Sequence, residues 1–261
     1  MHPILFQIGS WPVYAYGVLL AAAYLAGLQL AVVRARRAGL DATKVMDLGI
    51  YLIIAALVGA KLMLIATDFR YFMSHPAELF SLIRAGGVFY GGLIGAFLVG
   101  LWLVGRYKLP VWKTADVYAP GIAIGHVIGR FGCLMAGCCY GRATSGSWGI
   151  TFTSPVAAEN AGTPLGIPLH PTQLYDAGAE LLILIFLLAF ERRGRPFPGR
   201  TFWLYILLYA ISRFIVEIYR GDPRGSVMGL STSQFVSVVT LPIAVIMLMR
   251  LRKTAAATAT A

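Results

Sequence analysis

Apolar residues in this chain come in long unbroken runs separated by short polar, cation-rich connections. Seven runs stand out, at about 14–33, 46–66, 88–105, 115–135, 172–190, 201–219 and 232–250. Each approaches the roughly 20 residues a helix needs to cross a hydrocarbon core. Continuous runs predict helices, because a transmembrane barrel would alternate apolar and polar positions in short strands. In lipid a helix also pairs its backbone polar groups within its own segment. The expected fold is therefore an all-α polytopic membrane protein with about seven transmembrane helices. The boundaries expected are one transmembrane helical domain over 1–253, enclosing an outward-facing cavity, and a low-complexity disordered tail, TAAATATA, over 254–261.

The connections set the orientation. RARRAGLDATK (34–44), RYKLPVWK (106–113), ERRGRPFPGR (191–200) and the terminal RLRK (250–253) hold most of the 22 Lys and Arg. The opposite side holds only Arg70, Arg84, Arg142, Arg220 and Arg224. The positive-inside rule then places the N-terminus outside and the C-terminus in the cytoplasm, which an odd number of spans requires. No basic segment precedes the first run and no small-residue cleavage site follows it, so no removable signal peptide is expected.

Composition agrees: 58% of residues are hydrophobic, 13% are charged, and the mean hydropathy is +0.74. Soluble domains carry about 25% charged residues. The net charge of +11 sits mainly on short cytoplasmic turns, where topology and anionic headgroups account for it, and nucleic-acid binding is excluded.

Three cations remain inside the runs: Lys61, Arg130 and Arg213. Charges at membrane depth face a cavity or a partner and mark candidate sites. Lys61 is placed to snorkel to the outer interface. Arg130 has no acid at helical spacing on its own run, which leaves it for an external anion or an acid of another helix. Tyr209, Arg213 and Glu217 share one helical stripe, either as a structural ion pair with a neighbour or as part of a site. Tyr16, Tyr90, His170, Gln173, Tyr175, Asp176 and Gln234 fall at the same outer level. Jointly they predict an outward-facing cavity whose ligand carries an anion. The glycines of AGGVFYGGLIG (85–95) serve close helix packing or ligand approach. Cys133, Cys138 and Cys139 have no zinc-motif spacing; a Cys133–Cys138 disulfide, helix-end packing and a soft-metal role all stay open.

GRFGCLMAGCCYGR (129–142), LHPTQLYD (169–176) and YAISRFIVEIYRG (209–221), with AYGVLL (15–20) and GGVFYGGLIG (86–95), resemble characteristic segments of bacterial prolipoprotein diacylglyceryl transferase. The resemblance covers nearly the whole chain in order. It implies a multi-pass enzyme of the bacterial cytoplasmic (inner) membrane, with its active site toward the outer leaflet. Such an enzyme moves the diacylglyceryl group of phosphatidylglycerol onto the lipobox cysteine of a prolipoprotein signal peptide and releases glycerol phosphate. No metal or organic cofactor is implied. By match, Arg130 binds the phosphate, Arg213 is a second essential cation held by Glu217, Tyr209 shares its stripe, and Tyr16, Gly141, His170 and Gln173 occupy site positions.

Two departures matter. The better-studied family members carry His-Gly-Gly where this chain has Tyr90-Gly91-Gly92, and that histidine is the usual proposal for the base. They also carry asparagine at the Cys133 position and an acid at that of Cys138. A tyrosine, with a reference pKa near 10, is a poor base at neutral pH. Three accounts follow: Tyr90 positions substrate while Arg130 and Arg213 favour the thiolate; His126, one turn from Arg130, is the base; or the chemistry has changed. The rival functions are a soft-metal transporter, a thiol oxidoreductase and a non-catalytic lipid-binding homologue. A transporter would show a polar track through its span interiors, and an oxidoreductase a Cys-x-x-Cys pair.

Overall fold

The computed structural model describes residues 2–78, 87–191 and 197–260, with side chains through 257. Arg84, Gly86, Arg192, Arg193 and Arg195, used above, lie outside the described residues. The described chain forms nine helices. They are α1 (Ala15–Arg37), α2 (Ala42–Thr67), α3 (Phe69–Ser74), α4 (Phe89–Arg106), α5 (Val111–Ala136), α6 (Pro155–Ala161), α7 (Thr172–Glu191), α8 (Arg200–Glu217) and α9 (Thr232–Thr260). All seven expected spans are helices. Six of these helices are long and apolar enough to cross a membrane. The seventh, α8, carries Arg200, Arg213 and Glu217 within its 18 residues, so no stretch of that length in it is as free of charge as in the other six. The protein is a polytopic helical membrane protein.

Three small antiparallel pairs were not expected: β1 (Ile4–Ile8) with β2 (Trp11–Tyr14), β3 (Ile150–Thr151) with β4 (Pro168–Leu169), and β5 (Ser226–Val227) with β6 (Leu230–Ser231). They are too short to show an alternating pattern. At the C-terminal end α9 is drawn to Thr260. Alanine is the strongest helix former, and an established helix adds such residues without a new nucleation cost.

By contact the chain divides into two compact units, residues 1–31 with 115–261, and residues 32–114, where the sequence suggested one domain. In the second unit, Asp41 caps α2 by accepting from the N–H groups of Thr43 and Lys44 at 3.0 and 3.2 Å. Packing of α2 on α4 is backbone to backbone. A Cβ on Gly91 would meet Met63 Cβ and the carbonyl oxygen of Gly59. Packing therefore accounts for this glycine.

The first unit has its core where α5, α7 and α8 meet, at Ala119, Ala123, Ile183, Leu184, Leu187 and Tyr205. Asp116 of α5 fixes the start of α8 by accepting from Gly199 N at 2.7 Å and Phe202 N at 2.9 Å. Large apolar side chains such as Leu57, Leu62, Phe97 and Leu182 stay exposed, as a lipid-facing surface requires.

Candidate functional site

Charged and polar side chains inside the first unit repeat at four-residue intervals on three helices. His126 and Arg130 lie on α5, Asp176 and Glu180 on α7, and Tyr205, Tyr209, Arg213 and Glu217 on α8. Residues four apart share a helix face. Because α7 runs opposite to α5 and α8, the rows meet as two tiers about one turn, ~6 Å, apart.

In the outer tier three guanidinium groups converge on one oxygen. Asp176 Oδ2 lies 3.2 Å from Arg130 Nη2, 3.5 Å from Arg213 Nη1 and 3.8 Å from Arg220 Nη1. Arg213 also pairs with Glu217 at 2.5 Å and donates to Ser233 Oγ of α9 at 3.2 Å. Arg220 holds Asp222 through two bonds of 2.8 and 2.7 Å, and Arg224 reaches Asp222 at 3.2 Å and Glu217 at 3.8 Å. Burial disfavours the Asp222 charge, but the Arg220 and Arg224 hydrogen bonds outweigh it and hold its carboxyl below the usual carboxylate range.

In this network four arginines face three carboxylates, one positive charge in excess. A buried charge without a counter-charge is costly, so the tier favours an added anion. Among the three guanidinium groups on Asp176, Arg130 is the most open. Its side chain is 18% exposed, against 7% for Arg213 and 2% for Arg220.

One turn deeper, His126 Nδ1 lies 2.7 Å from Glu180 Oε1 and 3.0 Å from the Tyr205 hydroxyl. Against an ionised Glu180, which can only accept, the imidazole tautomer that fits has its proton on Nδ1 and its lone pair on Nε2. Glu180 is buried at 3%, while the His126 side chain is 41% exposed. An oriented imidazole with one open nitrogen has the arrangement of a general base and its positioning carboxylate. Tyr209 packs its ring on His126 at 5.4 Å.

The segment after α5 closes the outer end. It runs between residues 168–170 and 219–221: Gly141 N donates to His170 O at 3.1 Å, Arg142 N to Tyr219 O at 2.9 Å, and Gly221 N to Tyr140 O at 3.1 Å. A Cβ on Gly141 would meet the carbonyl oxygen and Cβ of His170 and lie 2.9 Å from Tyr219 O. Gly141→Ala is accordingly expected to spread these three segments and cost stability in the 1–3 kcal/mol range of an overpacked site, read as a lower unfolding temperature in detergent.

His170 meets the Tyr175 hydroxyl at 3.1 Å and packs on Tyr219 at 5.2 Å. Gln173, fully buried, donates to Cys138 O at 2.7 Å, so its direct contact is with the loop backbone. Tyr16 packs its ring against Gly132 of α5 and is 40% exposed. All three cysteines are free thiols. Tyr90 belongs to the second unit, on the first turn of α4, 41% exposed and edge-on to Phe89.

The fold thus brings together Arg130, Arg213, Glu217, Tyr209 and His126 with Asp176, which the sequence offered only as one of several outer-level polar groups, and adds Glu180 and Arg220, which sequence reasoning did not place in the site. Asp176 is the hub of the outer tier and Glu180 orients His126; their i, i+4 spacing in QLYDAGAELL was the available signal. Arg220, read as an ordinary loop cation, is buried in the outer tier, and only the tertiary fold reveals it.

Comparison with known proteins places the whole chain in one family. Residues 3–250 match the family model described as Prolipoprotein diacylglyceryl transferase. A phosphatidylglycerol–prolipoprotein diacylglyceryl transferase of Clostridium tetani (strain Massachusetts / E88) is 37% identical over 246 residues, covering 94% of this chain and 96% of that one. The Clostridium perfringens (strain 13 / Type A) protein named phosphatidylglycerol–prolipoprotein diacylglyceryl transferase 2 is 35% identical, covering 92% of each chain. That of Geobacter sulfurreducens (strain ATCC 51573 / DSM 12127 / PCA) is 34% identical, covering 84% of this chain and 82% of its own. With its length matched almost end to end, the chain belongs to the prolipoprotein diacylglyceryl transferase family.

Proposed function

We propose that this protein transfers the diacylglyceryl group of phosphatidylglycerol to the lipobox cysteine thiol of a prolipoprotein, at the outer leaflet of the bacterial cytoplasmic membrane. The observation that carries the reading is the convergence of Arg130, Arg213 and Arg220 on one point of a helical interior. The cation-rich connections support the orientation, and the relatives' names supply the substrates.

The chemistry needs two things from the protein. The substrate thiol must lose its proton, since its reference pKa is near 8.5 and only the thiolate attacks well. The phosphate must leave the glyceryl carbon with the electron pair of the C–O bond as the C–S bond forms. Arg130 answers the second need: its planar fork matches two phosphate oxygens in a site where little water competes. His126 answers the first, accepting the thiol proton on Nε2 while Glu180 steadies the imidazolium that results.

A lipid also needs room for its chains. Ala210, Phe214, Ser237, Val238 and Leu241 line an apolar cleft of about 220 Å³ between α8 and α9. Its Ala210 and Ser237 lie about one turn from Arg213 and Ser233 along α8 and α9, so a headgroup at the arginines would lay an acyl chain along it. Ala210→Trp is expected to fill this cleft and raise KM for phosphatidylglycerol about tenfold or more, as loss of a few buried methylenes does, with a smaller effect on kcat.

The deciding experiment reconstitutes the protein with phosphatidylglycerol and a lipobox peptide and follows the peptide by mass spectrometry. The cysteine peptide is expected to gain one diacylglyceryl group and its serine counterpart none. An unmodified cysteine peptide, with enzyme that remains folded, rejects the reading.

A further inference from the structure

Three thiols meet beside the outer tier. The Sγ atoms of Cys133, Cys138 and Cys139 all lie within 4.8 Å of one another, although the first stands on α5 and the others follow it on a loop. The turn that gathers them is strained: Gly137 and Cys139 both have left-handed backbones, with φ of +81° and +62°. A non-glycine residue holds that conformation only when its surroundings enforce it. Here Thr172 Oγ1 donates to Cys139 O and Gln173 Nε2 to Cys138 O, each at 2.7 Å from a fully buried side chain.

We propose that Cys133, Cys138 and Cys139 form a three-thiolate site for one soft d10 cation, Zn(II) or Cu(I), and that filling it weakens the hold of the arginine tier on phosphate. The second half rests on the reaction proposed above. A Zn–S distance of about 2.3 Å sets sulfurs sharing one ion roughly 3.8–4.0 Å apart, so closing the cluster takes about 1 Å of movement. Thiolates select soft ions over Mg²⁺ and Ca²⁺.

Charge argues for thiolates rather than neutral thiols. Arg130 stands one turn before Cys133 on α5 and Arg220 bridges to Gly141 just past the cysteine loop, and two guanidinium groups would repel a cation held by neutral ligands. Three S–H groups that lose three protons to solvent as three Zn–S bonds form leave a cluster of net charge −1. That charge also suits Arg220, whose Nη1 is buried without a hydrogen-bond acceptor. The fourth position stays open to water, as in sites with three protein ligands. A negative cluster beside Arg130 partly cancels the field offered to a phosphate.

The test uses the full chain in detergent, reduced and stripped of metal. Zn(II) and, in a parallel arm, Cu(I) are titrated against a chromophoric chelator; Co(II) serves as a spectroscopic probe. One equivalent of Zn(II) or Cu(I) is expected to bind, and the arm that binds identifies the ion. Co(II) should develop thiolate-to-metal charge-transfer absorption. The double variant Cys138→Ser/Cys139→Ser should weaken binding by more than the ~100-fold that loss of a ligand's outer hydrogen-bond partner costs.

Loading should also raise KM for phosphatidylglycerol severalfold with a smaller change in kcat. Absence of a tight equivalent in both arms, cobalt spectra without the thiolate band, or undiminished binding by the double variant overturns the site. An unchanged KM overturns the coupling. The cobalt spectrum is read on the unaltered protein, so poor folding of the variant does not remove the test. A cobalt band in a protein that transfers nothing, loaded or stripped, overturns the reaction and upholds the site.

Discussion

Arg130→Lys is expected to lower kcat/KM for diacylglyceryl transfer by about 10²–10³, the loss typical of removing one preorganised donor from a developing anion. The reason lies in what one side chain must do twice. Arg130 pairs with Asp176 through Nη2 at 3.2 Å, and the rest of its fork stays available to a ligand. Lysine keeps the charge but offers a compact ammonium on a flexible stem. It can satisfy Asp176 or approach the phosphate, and it cannot grip two phosphate oxygens in a plane. Because Arg213 and Arg220 remain on Asp176 Oδ2, the carboxylate keeps its counter-charges and the fold should survive. Transfer to a lipobox peptide, followed by mass spectrometry beside an unfolding curve, separates the two effects. A lysine variant with near-normal transfer and unchanged stability would show that the phosphate is bound elsewhere.

What was legible in the sequence divides along the same lines as the forces involved. Hydrophobic run length is local, and all seven expected segments are helices. The charge on Arg130 and Arg213 was conspicuous because lipid makes a buried cation costly. Their partner was less so. Asp176 sits at the start of α7, where an acid reads as an ordinary residue near the interface, and its role appears only when α5 and α8 close on it.

Arg220 shows the limit most clearly. Three residues past the end of α8, it has the sequence signature of a solvated loop cation, yet residues 140–143 and 219–221 clasp each other and bury it. The cysteines were equally opaque. Spacings of five and one match no metal motif, and only the left-handed turns at Gly137 and Cys139 stack the thiols. The glycines of α4 carried two meanings, of which packing on α2 is visible at Gly91.

The second large effect is expected at His126. His126→Gln should lower kcat about 10²-fold, the smaller end of what a positioned proton acceptor contributes, and leave KM for phosphatidylglycerol nearly unchanged, since the arginine tier is untouched. The shape of the pH profile distinguishes this from a packing defect. In the unaltered enzyme, acid protonates Nε2 and removes the acceptor, so the rate falls as pH is lowered. In His126→Gln that acid limb should disappear and leave a low plateau that rises only as the substrate thiol ionises by itself. Glu180→Gln should fall between the two. A glutamine carbonyl can still accept from Nδ1 and keep the ring turned, but it lacks the charge that stabilises an imidazolium one turn below three guanidinium groups. Its acid limb should therefore persist, because the imidazole is still there to accept the proton. An acid limb unchanged in His126→Gln would assign the thiol proton to another acceptor and reduce His126 to a hydrogen-bonded partner of Glu180 and Tyr205.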